Sequence, residues 1–186
     1  MVSRRSFVGA LMAQIGDALV VTGLGSPTWD VFAAGARAET FHLWGAMGAS
    51  APMALGLSLA QPSRPVVAIT GDGEILMGIG SLATIGAAAP PNLTIVVLDN
   101  GLYGETGGQR SHTALGTDLV AVAAGFGLAA VATTDPAEVA ARVTARAATT
   151  FVRVAVEPDD PPRAMPPRDG AANKNAFRAA LGLPTF

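Results

Sequence analysis

The sequence has no cysteine, and only 14% of its residues are Asp, Glu, Lys or Arg, against about 25% in an average soluble domain. Without thiols it can form no disulfide framework, thiolate metal site or protein-ligated iron–sulfur cluster. This fits a reducing, cytoplasmic setting. The net charge is -2 and no Lys/Arg cluster is present, so nothing marks a nucleic acid or anionic membrane as partner. No internal repeat is found. So little charge on 186 residues also suggests a surface partly covered by other chains.

What the sequence does have is apolar bulk: half its residues are hydrophobic and 22 are glycine, enough for one globular domain with a real core. Two stretches without formal charge, residues 40–63 and 75–98, are long enough to raise the question of a membrane span. Both are broken by proline and rich in glycine, which favours buried α/β elements. At the start, Ser3-Arg4-Arg5-Ser6-Phe7-Val8 resembles a twin-arginine export signal. Against that reading, Gln14 and Asp17 interrupt the apolar run, no small-residue cleavage site closes it, and residues 18–22 are needed as a strand.

Short β-branched or apolar runs at residues 18–22, 65–70, 93–98, 129–133 and 151–156 predict strands. Between them, residues 27–37, 47–61, 74–88, 118–126 and 136–148 have helical composition, the last opened by Asp135 as N-cap with Pro136 behind it. The alternation predicts a three-layer α/β/α fold with a mainly parallel sheet and ligand residues at the carboxyl ends of its strands. Residues 1–157 would form this domain. Residues 158–186 would be a connector, with five prolines between Pro158 and Pro167, and a closing helix at 173–181 that reaches across a neighbouring chain.

The strand at 65–70 runs into Gly71-Asp72-Gly73-Glu74 and then a helix. Glycines let the backbone approach a ligand, a new helix presents free NH groups to an anion, and Asp72 offers a hard oxygen to a cation such as magnesium. The next strand ends in Asp99-Asn100-Gly101, which places an amide oxygen on the neighbouring loop. Gly-Asp-Gly alone would read as a mere turn. Upstream, Val21-Thr22-Gly23-Leu24-Gly25-Ser26-Pro27 joins a strand to a helix, so Gly25 and Ser26 are either diphosphate contacts or a simple turn. As a dinucleotide fingerprint this run fails, because Thr28 stands where the third glycine belongs.

Gly71-Asp72-Gly73 followed after 26 residues by Asn100 resembles the signature of the thiamine diphosphate-dependent decarboxylases and transketolases. The resemblance implies the thiamine diphosphate-binding fold, with thiamine diphosphate and Mg2+ as cofactors. Asp72, the Asn100 side chain and the Leu102 backbone oxygen would be metal ligands. It also implies that Met47, 25 positions before Asp72, wedges the cofactor into a bent shape, and that the Gly45 carbonyl meets its aminopyrimidine. Met47 taken alone would be an ordinary core methionine. Glu74 departs from many decarboxylases, which carry a small residue there, and its role is open.

The run Tyr103-Gly104-Glu105-Thr106-Gly107-Gly108-Gln109 and then Arg110-Ser111-His112-Thr113 most resembles sulfopyruvate and phosphonopyruvate decarboxylases. Glu105, Thr106, Gly107, Arg110 and His112 then become substrate-side candidates, although a flexible surface loop explains the same composition. His42 reads as a hydrogen-bonded histidine at a strand edge. The resembled enzymes also use an activating glutamate from a second domain, for which this chain has no room. A separate pyrimidine-binding alpha subunit would supply it in a hetero-oligomer acting on a small 2-oxoacid. Carboligation or ketol transfer on the same scaffold, and a cofactor-binding module without turnover, are the competing readings.

Overall fold

The computed structural model describes residues 1–186. Six parallel strands form one sheet in the order β2-β1-β3-β4-β8-β7: β1 is Leu19–Thr22, β2 Thr40–His42, β3 Val66–Gly71, β4 Leu93–Asp99, β7 Ala129–Ala132 and β8 Thr150–Ala155. A two-stranded antiparallel hairpin, β5 (Leu102–Tyr103) with β6 (Gln109–Arg110), stands apart from it. Strand residues alternate between two apolar layers. Val20, Val67, Ile69, Val96 and Val152 point to the face covered by α1 (Arg4–Met12), α2 (Ser26–Ala33) and α7 (Pro136–Ala145). Leu19, Val21, Val66, Ala68, Ile95 and Phe151 point to the face covered by α3 (Ser50–Ala60), α4 (Asp72–Met77), α5 (Ser81–Ala88), α6 (Leu119–Gly125) and α8 (Gly170–Ala180). With a helix layer on each side, the central strands are buried on both faces, which is why they read as mainly apolar runs without strict alternation. The expected three-layer α/β/α fold is the one observed.

Several boundaries differ from expectation. The segment resembling an export signal folds into α1, capped by the Ser3 side chain and packed on α2 and α7. Strand β2 went unread because it is three residues long. The helix expected at 47–61 begins at Ser50 because the backbone at Gly45, Ala46 and Gly48 has positive φ (80°, 53° and 92°), which no helix tolerates. The helix expected over 74–88 is two, interrupted at Gly78-Ile79-Gly80, where residue 78 packs its main chain directly on Gly48.

The tail folds back over its own chain. Arg4 donates to the Asp159 carbonyl at 3.1 Å, Arg163 lies over the Trp29 ring at 4.4 Å, and the Trp44 indole NH donates to the Pro167 carbonyl at 3.3 Å. Helix α8 then covers the edge strand β2, with Phe177 edge-on to Phe41 at 5.6 Å. A strand edge left bare would be a template for unwanted pairing, and the helix removes that hazard.

Candidate cofactor site

Strand β1 is followed in sequence by β2 on one side of it, and the chain then crosses back to place β3 on the other. Such a reversal leaves a crevice between the loops after β1 and β3, where ligands of open α/β sheets bind. Those loops carry Gly23-Leu24-Gly25 and Gly71-Asp72-Gly73. Asn100 follows β4, the next strand over. Asp72, Asn100 and Leu102 line one cleft with Ser26, Met47, Gly71, Gly73 and Glu74. Glu105, Thr106 and Tyr103 close it from the β5–β6 hairpin.

Burial pushes the Asp72 carboxyl above its ordinary range. The Ser111 hydroxyl pulls the other way, and the nearby Asp99 charge adds to the rise. A carboxylate held at such a cost invites a cation. The cleft lining contains Asp72, Glu74 and Glu105 against a single basic residue, Arg4. An acidic cleft rejects a bare diphosphate but accepts one that brings a divalent cation with it. The available donors, a carboxylate and an amide oxygen, are the hard type that magnesium prefers. Asn100 Oδ1 also accepts the Leu102 NH at 3.0 Å, an interaction that fixes the amide and uses one of its two lone pairs. The residues present therefore fit a thiamine diphosphate–magnesium pair.

Gly25, with φ of 76°, opens α2 without any side-chain cap, leaving its first NH groups available to an anion. A side chain there would run into Glu105, whose carboxylate lies 2.6 Å from where a Cβ would stand. Glu74, whose role the sequence left open, is buried at the crevice. Its Oε2 accepts the Leu24 NH at 3.1 Å, and a Cβ on Gly23 would fall 1.7 Å from that oxygen. Glu74 thus fastens the β1 loop to the β3 loop, while its Oε1 has no hydrogen-bond partner.

Of the other residues singled out from sequence, Gly45 sits in the left-handed turn beside Met47. Gly107, Arg110 and His112 are exposed on or after the hairpin and do not line the cleft. The Arg110 guanidinium bonds the Ala114 carbonyl. His42 ends β2, with Nδ1 3.1 Å from the Thr22 hydroxyl, and burial lowers its pKa from 6.5 to about 4. Two residues that sequence reading passed over are Ser111 and Thr113, whose hydroxyls reach Asp72. Arg4 was noticed only as part of a possible export signal. Only the spacing of two hydroxyls in a polar loop hinted at the first pair, and nothing local placed Arg4 at the cleft.

A parallel sheet with a carboxylate and an amide oxygen on adjacent strand ends defines an α/β protein with an acidic cleft at the carboxyl edge of its sheet. The family model described as "Thiamine pyrophosphate enzyme, C-terminal TPP binding domain" matches residues 30–156. Phosphonopyruvate decarboxylase of Streptomyces viridochromogenes is 42% identical over 146 residues, covering 76% of this chain and 36% of that protein. Sulfopyruvate decarboxylase subunit beta of Methanocaldococcus jannaschii is 36% identical over 131 residues, covering 70% of this chain and 69% of that one. Among solved structures, a putative thiamin diphosphate-dependent enzyme from Mycobacterium smegmatis superposes with a TM-score of 0.72 at 28% identity, over 85% of this chain and 32% of that one. The chain belongs to the thiamine pyrophosphate enzymes, through their C-terminal TPP-binding domain. It spans about a third of the length of the Streptomyces relative and about two thirds of the archaeal beta subunit.

Proposed function

We propose that this chain is the diphosphate-binding subunit of a thiamine diphosphate- and magnesium-dependent 2-oxoacid decarboxylase, acting on a sulfopyruvate- or phosphonopyruvate-like acid and releasing an aldehyde. The observation that carries this reading is the convergence of Asp72 and Asn100, from adjacent strand ends, on one acidic cleft that also contains Met47. Asp72, Asn100 and the Leu102 backbone oxygen hold the magnesium. Gly25, Ser26 and the residues Gly71, Gly73 and Glu74 surround the diphosphate. Met47, in the cleft lining, and the Gly45 carbonyl would hold the ring portion of the cofactor.

When bound, the cofactor supplies the electron sink that lets a 2-oxoacid lose carbon dioxide. The chain's own contribution is to orient that sink. Glu105 and Thr106 face the substrate end, and Gly107, Arg110 and His112 extend the same hairpin toward an anionic substrate group. The activating glutamate comes from a separate pyrimidine-binding chain. A relative named as a beta subunit supports a two-chain enzyme.

The test is calorimetry with thiamine diphosphate and Mg2+, followed by turnover assays with a panel of 2-oxoacids once the pyrimidine-binding chain is co-expressed. Asp72→Ala and Asn100→Ala are expected to weaken cofactor binding by at least about tenfold, or about 1.4 kcal/mol. Unchanged binding in both variants would rule out the metal assignment.

A further inference from the structure

We infer that Ser111 and Thr113 are positioning residues: their hydroxyls hold Asp72 against the Asn100 loop, so that cation binding and closure of the 101–115 segment become one event. The inference rests on the reading of Asp72 and Asn100 as a cation grip, and it assigns a role to two residues outside that grip.

Ser111 is fully buried, and its hydroxyl donates to Asp72 Oδ2. The Thr113 hydroxyl lies 3.2 Å from the same oxygen, 2.7 Å from Asp99 Oδ1 and 2.8 Å from the Ser111 hydroxyl. Asp99 Oδ1 also accepts the Gly101 NH at 3.1 Å, and Asp99 Oδ2 accepts Arg153 Nε at 2.5 Å. The Ser111 NH in turn donates to the Gly101 carbonyl at 2.7 Å. The end of β3, the end of β4 and the return arm of the hairpin are therefore tied to one another through two small side chains.

The chemistry of these partners suits a cation ligand. Both hydroxyls converge on Oδ2, so neither occupies Oδ1. A hydroxyl orients a carboxylate without neutralising it, whereas a lysine or arginine in its place would compete with the cation for the same charge. The one cation in the network, Arg153, pairs with Asp99 instead of with Asp72. Because the bonds that orient Asp72 are the bonds that anchor the return arm, a cation that fixes the carboxylate also fixes the hairpin carrying Glu105, Thr106 and Arg110. Coupling of this kind is reciprocal: whatever holds the hairpin closed must strengthen cation binding equally.

The experiment uses the full chain and three variants: Ser111→Ala and Thr113→Val, which delete one hydroxyl each, and Thr113→Ser, which keeps it. Two readouts are taken, the Mg2+ midpoint for thiamine diphosphate binding by calorimetry and the rate of trypsin cleavage after the exposed Arg110 by mass spectrometry. Loss of a group that orients a metal ligand typically costs about 10–100-fold in metal affinity. Mg2+ with thiamine diphosphate is expected to protect Arg110 in the unsubstituted chain, and Ser111→Ala and Thr113→Val are expected to raise the Mg2+ midpoint by that factor and to lose that protection. Thr113→Ser should match the unsubstituted chain in both. Two hydroxyl deletions at different sites keep the test intact if one of them fails to fold. Binding and protection that are normal in both deletions overturn the latch and leave the cofactor reading standing. Absence of Mg2+-dependent binding by the unsubstituted chain co-expressed with its pyrimidine-binding partner overturns the cation grip itself, and the latch with it.

Discussion

His42 is held uncharged by its surroundings. Its ring meets Phe32 edge-on at 6.0 Å, its Nδ1 faces the Thr22 hydroxyl, and burial lowers its pKa to about 4. As pH falls below the ordinary value of 6.5, the unfolded chain takes a proton that the folded one refuses. Stability should decline between about pH 6.5 and pH 4 and level off below, where the folded form is protonated too. At 1.36 kcal/mol per pKa unit the effect is at most about 3 kcal/mol, reduced by the ring's partial exposure. Asp72 works in the opposite sense: its carboxyl is pushed up by burial, so lower pH relieves it. The informative quantity is therefore the difference between the natural chain and His42→Gln. Urea midpoints at pH 7 and pH 5 should fall further for the natural chain than for the variant, and equal falls would remove His42 from the account.

Between residues and the whole fold, the turn before α3 and the break between α4 and α5 depend on each other. A Cβ on Gly78 would stand 2.3 Å from the Gly48 carbonyl oxygen, and one on Gly48 would stand 2.8 Å from the Gly78 nitrogen. Backbone meets backbone there, and neither can yield as a flexible side chain would. This contact sets the turn that carries Gly45 and Met47. Gly78→Ala is expected to destabilise the chain by about 1–3 kcal/mol, the usual cost of overpacking, and to weaken thiamine diphosphate binding through Met47. Gly80→Ala, where a Cβ meets nothing within 4 Å, is the control and should change the thermal midpoint little. Similar shifts in both variants would deny the contact any special importance.

At the scale of the molecule, Arg4 joins the buried Asp30 of α2 to the start of the C-terminal tail. Asp30, on α2 and fully buried, accepts from Arg4 at 2.5 Å and from Arg5 at 2.9 Å. Arg4 also reaches Asp159 at the start of the tail. Removing one partner of a buried pair strands the other charge, at a cost of about 3–5 kcal/mol. Asp30→Ala should therefore lower the melting temperature by on the order of 10 °C for a domain of this size. Melting followed by circular dichroism checks this, and a shift of only a degree or two would mean that the arginines find water instead.

The sequence by itself determined the layers and the placement of Gly71-Asp72-Gly73 and Asn100 at adjacent strand ends. Mainly apolar, fully buried strands such as Leu93–Asp99 are satisfied between two helix layers, and the parallel order puts the loops carrying Gly71-Asp72-Gly73 and Asn100 at the same edge of the sheet. Both are local patterns repeated along the chain, and pattern is what a sequence displays. Tertiary structure alone decided that Glu74 would bridge two loops, that Ser111 and Thr113 would meet Asp72 across 39 and 41 residues of chain, and that the tail would close over β2. Those pairings depend on which distant segments the fold brings within 3 Å of one another. A hydroxyl or a carboxylate has no periodicity to announce such a partner, so its role becomes visible only once the sheet order has been set.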